Sequence, residues 1–436
     1  MNKSFDLTKG NRLPPRFGVI QFPLRAVPVA ALLGLTGLGS AALQAVSGRQ
    51  YVAESMRMFG HSAPFLFTVV SRVLNLMLVI AIIAMPLMAA PKKRRAPILL
   101  AFGAAFFFLT NDIFGSLFGR YPGGIEPLPV MALVAMVVTL VFGRVHHDEL
   151  IRFARFILRL MVFGSLLCAV VIPDWSYVAD SYAGSHRLIG LFNHPRALAI
   201  QAGGLFVIEL FFVDGAKWKR GASMFGAVMA ILLSVSKTTI ALIPVVMSIY
   251  ATATLGERRG GHSRIVRLLL VMLVIGAIPF IGYSLYGNFV AENASRLETL
   301  TGRSALWSNV YTSWLQDPMF GNGAGFFENS GYANAHNLFL QSLSDGGVVG
   351  VVGLVVFVGL LVRFAFKGRA KDGWLGISLL TVVLFVGLSE NVFAFENLYS
   401  GEYFVFLLSV LCVGSDRVCS NGSVPLMKRR ESGSYD

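Results

Sequence analysis

Charge is scarce in this chain, and acid is scarcest of all. Among 436 residues there are 23 Asp and Glu and 37 Lys and Arg, so charged side chains make up 14% and apolar ones 55%. A soluble domain covers its surface with about a quarter charged residues, so a water-exposed globular fold is excluded. Cysteine is almost missing too. Cys168, Cys412 and Cys419 are too few for a disulfide framework, and two of them fall in or beside apolar runs. The first twenty-odd residues are polar and basic, carry Pro14-Pro15, and lead into an apolar run with no small-residue cleavage site after it. That pattern reads as an uncleaved cytoplasmic N-terminus rather than a signal peptide.

What is present in abundance is the bilayer-length apolar run. Such runs fall at 24–46, 65–90, 96–118, 125–142, 156–173, 196–213, 222–236, 238–255, 268–286, 346–362, 374–390 and 403–414. They predict an all-α, polytopic integral membrane protein of about 12 transmembrane helices. Basic residues test the orientation. With the N-terminus inside, alternate connections hold 28 of the 37 Lys and Arg, among them Lys92, Lys93, Arg144, Arg155, Arg159, Lys217 and Arg363. Cytoplasmic loops show this excess, and a missing helix in the middle would invert it downstream, which does not happen. The net charge of +14 is thus explained by topology and implies no nucleic-acid partner. The expected organisation is a cytoplasmic segment 1–23, helices one to nine over 24–286, a large outward loop over 287–345, helices ten to twelve over 346–414, and a cytoplasmic tail 415–436. The cluster His146-His147-Asp148-Glu149 lies on the inner side among basic residues, where a solvated loop is expected rather than a metal site.

The longest polar interval runs from Arg303 to Gly350. At 100° per residue, Arg303, Leu306, Trp307, Val310, Tyr311 and Trp314 share one helix face, and Ser304, Ser308, Asn309, Thr312, Ser313 and Gln316 the other. This predicts a short amphipathic helix with an aromatic face, suited to lie on a membrane surface beside a sugar or lipid. Asp317-Pro318 stops it. The run GNGAG that follows is a loop whose backbone can approach a ligand closely. A second helix is expected to open near Asn334, with His336 and Asn337 in its first turn.

Gly302-Arg303 with Trp307, Asp317-Pro318, Gly321-Asn322-Gly323, His336-Asn337 and Gly346-Gly347-Val348-Val349-Gly350 follow one another in an order that resembles the central motif of the bacterial O-antigen ligase/polymerase family. Outside that stretch, Arg187-Leu188-Ile189-Gly190-Leu191-Phe192-Asn193-His194-Pro195 is similar to the family's arginine-and-glycine segment ahead of a span. Members carry Asn or His-Lys-Asn near its end, where this chain has His194-Pro195-Arg196. Leu233 to Thr238 resembles the Ser-Arg or Ser-Lys junction, and Glu390-Asn391 stands where members place an outward acidic residue.

The resemblance implies a glycosyltransferase of the bacterial inner membrane that moves a glycan from a polyprenyl-pyrophosphate carrier to an acceptor sugar hydroxyl at the periplasmic face. Its partners would be the lipid-linked donor, an acceptor glycan lipid (a lipid-linked repeat or lipid A-core), and flippase and chain-length regulator proteins. Arginine neutralises a diphosphate through a fixed fork of donors, so Arg187, Arg196, Arg303 and Lys237 are the candidate pyrophosphate ligands. Neither metal nor other cofactor is expected. A hydroxyl needs a base as it attacks, and His336 is the candidate, with the helix dipole favouring its neutral form. Asn337, His194, Trp307 and Glu390 are candidates for sugar contacts or for loop structure. Two acceptors compete: a polymerase joins repeat units, which the Phe192–Pro195 and Ser236–Thr238 variants favour slightly, and an O-antigen ligase moves finished chains to lipid A-core. A transporter or lipid-carrier flippase is the alternative of another class. It would place its polar groups near mid-membrane, whereas here they gather toward the outer surface.

Overall fold

The structure, a computed structural model, describes residues 24–46, 65–91, 95–124, 127–180, 185–192, 194–258, 303–323, 325–332, 334–367, 370–388 and 401–414. In chain order its elements are α1 (Val27–Val46), α2 (Phe65–Met88), α3 (Arg95–Phe108), a π-helical turn (Leu109–Ile113) leading into α4 (Phe114–Phe118), α5 (Pro127–Phe142), α6 (His147–Val171) and α7 (Pro173–Ser176). A hairpin of β1 (Tyr177–Asp180) and β2 (Ser185–Leu188) follows, then α8 (Pro195–Phe211), α9 (Lys217–Leu233), α10 (Lys237–Arg258), α11 (Arg303–Trp314), α12 (Phe326–Ser330), α13 (Leu338–Lys367), α14 (Ala370–Gly387) and α15 (Gly401–Gly414). The hairpin is the exception to the all-α expectation. Its strands are four residues each, too short for alternation to show, and they pair antiparallel with Val178 opposite Arg187.

Two helices are buried on nearly every side because they are apolar on nearly every side. In α8 almost every residue from Pro195 to Leu210 is buried, and in α15 the whole run from Tyr403 to Val413 is. α8 packs against α6, α9, α10, α14 and α15. Gly203 and Gly204 let Val382 and Val405 come to van der Waals distance of its backbone, the use of small residues where helices meet without a hydrophobic drive.

The outer helices show the opposite pattern. Phe65, Leu66, Leu76, Ile80, Ile83 and Leu87 of α2 and Phe156, Leu167 and Val170 of α6 are exposed. Contiguous apolar faces of this extent are incompatible with water and suit a lipid environment. Among the described residues, six helical segments are long and apolar enough to cross a membrane: Leu24–Leu43, Phe65–Met88, Arg95–Phe118, His147–Val171, Lys237–Thr254 and Leu338–Phe366. Pro127–Phe142, Trp374–Gly387 and Glu402–Gly414 are shorter apolar helices. The expected segments 1–23, 268–286 and 415–436 lie outside the described residues.

Two boundaries differ from the sequence reading. α6 opens at His147, not 156, so His147-Asp148-Glu149 form its first turn instead of a solvated loop, and His147 is buried. The added turns carry Arg155, counted above as a loop cation, into the helix packing beside Arg159. Both pair with the buried Glu209 of α8, at 2.7 and 2.6 Å. Its partners are 50 and 54 residues away. α13 in turn carries helical turns from Leu338 ahead of the expected span, and they join across the non-helical Gly347 to a helix that starts where that span was expected.

Candidate functional site

The GNGAG loop does not face outward toward a ligand. It is tied into the kink of α13. Asn322 and Gly323 donate their backbone N–H to the Ser344 carbonyl at 2.6 and 3.1 Å, and Val348 N–H donates to the Pro318 carbonyl at 2.9 Å. Gly347 sits at φ 60°, ψ −149°, a region essentially closed to residues with a Cβ. A Cβ there would lie 2.5 Å from the Met319 carbonyl oxygen. The family-like glycines at 321–323 and 346–347 therefore serve backbone-to-backbone packing. On the far side the same loop holds the segment after α4: Tyr121 N–H donates to the Asn322 carbonyl at 2.6 Å, and Gly325 N–H to the Tyr121 carbonyl at 3.0 Å.

This knot fixes the start of α13 and, with it, His336. Asn337 caps the helix: its Oδ1 accepts from the N–H groups of Phe339 and Leu340 at 2.9 and 3.0 Å, satisfying donors that have no helical partner. Its Nδ2 donates to the Leu388 carbonyl at the end of α14, at 2.9 Å. His336 therefore lies just before the helix, not in its first turn. Its φ is 49°, and its N–H is held by Asn334 Oδ1 at 2.9 Å. The preceding residue, Ala335, is buried and clamped twice. Its N–H donates to Gln341 Oε1 at 2.8 Å, and its carbonyl accepts from the Trp307 indole at 2.9 Å.

The helices then bring cations to the same place. α8 and α9 form an antiparallel pair, so the start of α8, the end of α9 and the start of α10 share one end of the bundle. At that end Arg196 Nη1 comes within 3.5 Å of His336 Nδ1. Arg187 Nε donates to the Ser234 carbonyl at 3.0 Å, which docks β2 on the α9–α10 turn three residues before Lys237. Lys237 opens α10 and is exposed. Among the described residues, Val235 (φ 52°) and His336 (φ 49°) are the non-glycine residues with positive φ. For a β-branched valine this is a strained state, and it stands at the same end of the bundle as His336. Strain of this kind persists where surrounding contacts over-determine it, and it clusters at functional sites.

Most of the expected site residues are thus located. Arg196, His336, Trp307 and Asn337 converge around residues 334–337, and Arg187 and Lys237 gather at the α9–α10 turn of the same end. Arg303 opens α11, one turn before Trp307, but its side chain is outside what is described. His194 caps α8, its Nδ1 accepting from Arg196 N–H at 3.1 Å. Glu390 lies outside the described residues; Asn337 holds the carbonyl two positions before it.

The expected aromatic face of α11 splits. Leu306 and Val310 turn inward onto Phe326, Phe327 and Ala335, and Trp307 positions the loop before α13. Tyr311 remains half exposed. Asn334, Gln341 and Ser234 were not foreseen. Asn334 had a legible signal, an Asx residue two positions before the one whose N–H it holds. The other two depend on partners that only the fold supplies. At the opposite end of the bundle stands the Arg155–Glu209–Arg159 cluster, which also holds the α8–α9 turn through Arg155 Nη1 to the Asp214 carbonyl at 3.0 Å.

No curated protein matches the chain. Residues 222–355, from α9 to the middle of α13, match the family model described as O-antigen ligase (Wzy_C). The matched stretch holds Lys237, Arg303, Trp307, His336 and Asn337, while Arg187, Arg196 and Glu390 fall outside it. Over that stretch, about a third of its length, this helical chain is similar to the O-antigen ligase family.

Proposed function

We propose that the protein is an inner-membrane glycosyltransferase that moves a glycan from a polyprenyl-pyrophosphate carrier to an acceptor sugar hydroxyl at the periplasmic face. The observation that carries this reading is the meeting of Arg196 with His336 at 3.5 Å across 140 residues of chain. A permanently charged phosphate ligand and a base stand side by side at the end of the bundle where Arg187 and Lys237 also gather.

The geometry suggests how the two work together. A guanidinium only donates hydrogen bonds, so the His336 nitrogen facing Arg196, Nδ1, presents its lone pair. When a diphosphate enters, its oxygens are far stronger acceptors for Arg196 than an imidazole. As Arg196 turns to them, Nδ1 is released to take the proton of the acceptor hydroxyl. The hydroxyl oxygen forms the new bond to the anomeric carbon, and the bond from that carbon to the diphosphate oxygen breaks. The polyprenyl diphosphate leaves with its charge held by Arg196, Arg187, Lys237 and Arg303. These cations supply the charge neutralisation a metal would otherwise provide, so transfer should persist in chelator. Inhibition reversed by a divalent ion would remove that part of the scheme.

Within this reading the acceptor assignment leans to polymerase, on the Phe192–Pro195 and Ser236–Thr238 variants. Product analysis of a deletion strain decides it: single repeats on lipid A identify a polymerase, and long chains stranded on the carrier a ligase. Lipid-linked sugar accumulating on the inner leaflet would instead identify a flippase and sink the transferase reading.

A further inference from the structure

A second feature of α11 has no part in that chemistry. On the flank away from Trp307, at 100° per residue, Asn309, Thr312, Ser313 and Gln316 line a cleft of about 420 Å³. Its opposite wall is Arg120 and Tyr121 from the segment after α4, and its floor is the start and end of α12. The volume falls in the range of about 300–1,000 Å³ typical of small-molecule sites, yet the lining is polar where most such sites are apolar.

The lining sorts into committed and available groups. The Ser313 hydroxyl donates to Asn322 Oδ1 at 2.7 Å, and the Thr312 hydroxyl to the Ser308 carbonyl at 2.9 Å. The side-chain amides of Asn309 and Gln316 are exposed and have no hydrogen-bond partner among the described residues. The Arg120 guanidinium lies over the Tyr121 ring, 5.3 Å from its centre, and the ring is braced from behind by Phe326 at 5.9 Å. The cleft is also rigidly built, because both walls are tied to the Asn322 loop: Tyr121 N–H to the Asn322 carbonyl at 2.6 Å, Ser313 to the Asn322 side chain.

We infer that this cleft is a saccharide-binding site, separate from the reacting centre by the thickness of α11, that holds sugar residues of the glycan which do not take part in the transfer. Two amides, each with two donors and an acceptor, match the paired hydroxyls of a sugar ring. A fixed aromatic edge and a guanidinium add an apolar strip and further donors. A lipid chain finds no apolar channel here. The inference rests on the proposed transferase reading only for the identity of the glycan. The site lies along α11 from two to nine residues past Trp307, about 3–14 Å at 1.5 Å per residue, so it suits chain already made or still to be added rather than the bond being formed.

The test uses full-length protein in nanodiscs and, as probe, the oligosaccharide repeat released by mild acid from the strain's own surface polymer. Saturation-transfer NMR should show binding by wild type and by His336→Asn. Asn309→Ala and Gln316→Ala change exposed side chains and leave the fold intact, and each should weaken binding about tenfold, the loss of one net hydrogen bond or slightly more. In cells the double variant should shorten the polymer while single transfers continue. Binding of the oligosaccharide by the double variant at wild-type strength would overturn the inference. If His336→Asn kept full transfer while the double variant lost binding, the proposed chemistry would fall and the saccharide site would stand.

Discussion

His336 adopts a left-handed backbone conformation. A side chain with a Cβ at φ 49° is uncommon outside Asn, Asp and His themselves, and here Asn334 and the double clamp on Ala335 hold the backbone in place. Asn adopts the left-handed region readily, so His336→Asn should insert and accumulate as wild type while losing transfer altogether. Immunoblot and product analysis of one culture read both quantities, and polymer at normal length would remove His336 as the base. Arg196→Lys keeps the charge but loses the fork of donors. Transfer should fall at least about tenfold, the scale of one charge-assisted hydrogen bond at about 1.5 kcal/mol or more. At this scale the sequence offers candidates where chemistry names residue types: His336 as the proposed base, Arg187 and Arg196 as proposed phosphate ligands. It was not readable where a partner decides the role. Trp307 carries no mark along the chain that its indole will hold the carbonyl before His336, and Ser234 contributes a backbone oxygen that any residue possesses.

At the scale of elements, the start of α13 and the pairing of α6 with α8 decide most. α13 was expected at 346 because Gly346-Gly347 reads as a break, and glycines in a helix interior are disfavoured by about 1 kcal/mol each. The break is there, because Gly347 is non-helical and the 318–323 loop packs into it, while the Asn337 cap starts additional helical turns ahead of it. Gly347→Ala should lower stability by at least about 1–3 kcal/mol from backbone strain alone, with the clash at Met319 adding to it. The thermal midpoint of purified protein measures this, and an unchanged midpoint would mean the kink is absent. Glu209 is fully buried between Arg155 and Arg159. Removing one member of a buried ion group leaves charge uncompensated and is destabilising by about 3–5 kcal/mol. Glu209→Ala should therefore cut the amount of folded protein sharply, whereas the exposed pair Arg152–Asp214 should tolerate Asp214→Ala with little change. The hairpin β1–β2 was invisible from sequence because four-residue strands carry no period, yet it delivers Arg187 to the α9–α10 turn.

For the whole molecule, the distribution of polar groups has two poles. One end of the bundle collects Arg187, Arg196, Lys237 and His336; the other holds the Arg155–Glu209–Arg159 cluster and the basic start of α9. The proposed topology assigns the first pole to the periplasm. Cysteines introduced at exposed Tyr332 and at Lys219 in a background without Cys168, Cys412 and Cys419 should label oppositely with a membrane-impermeant maleimide on intact spheroplasts, Tyr332→Cys reacting and Lys219→Cys not. The reverse labelling would place the base on the cytosolic face and end the proposed scheme.

The sequence by itself determined that this chain lives in a membrane as packed helices and which residue types are able to do phosphate and proton chemistry. Both follow from side-chain chemistry and from apolar runs, which are local properties. Only the tertiary structure decided that Arg196 meets His336 across 140 residues, that the motif glycines pack backbone on backbone, and that Glu209 is a paired charge. Those outcomes depend on which helix ends are brought together. In a chain this apolar every helix can bury a face against several others, so small residues, caps and a few polar bonds choose among partners that hydrophobicity alone leaves equivalent.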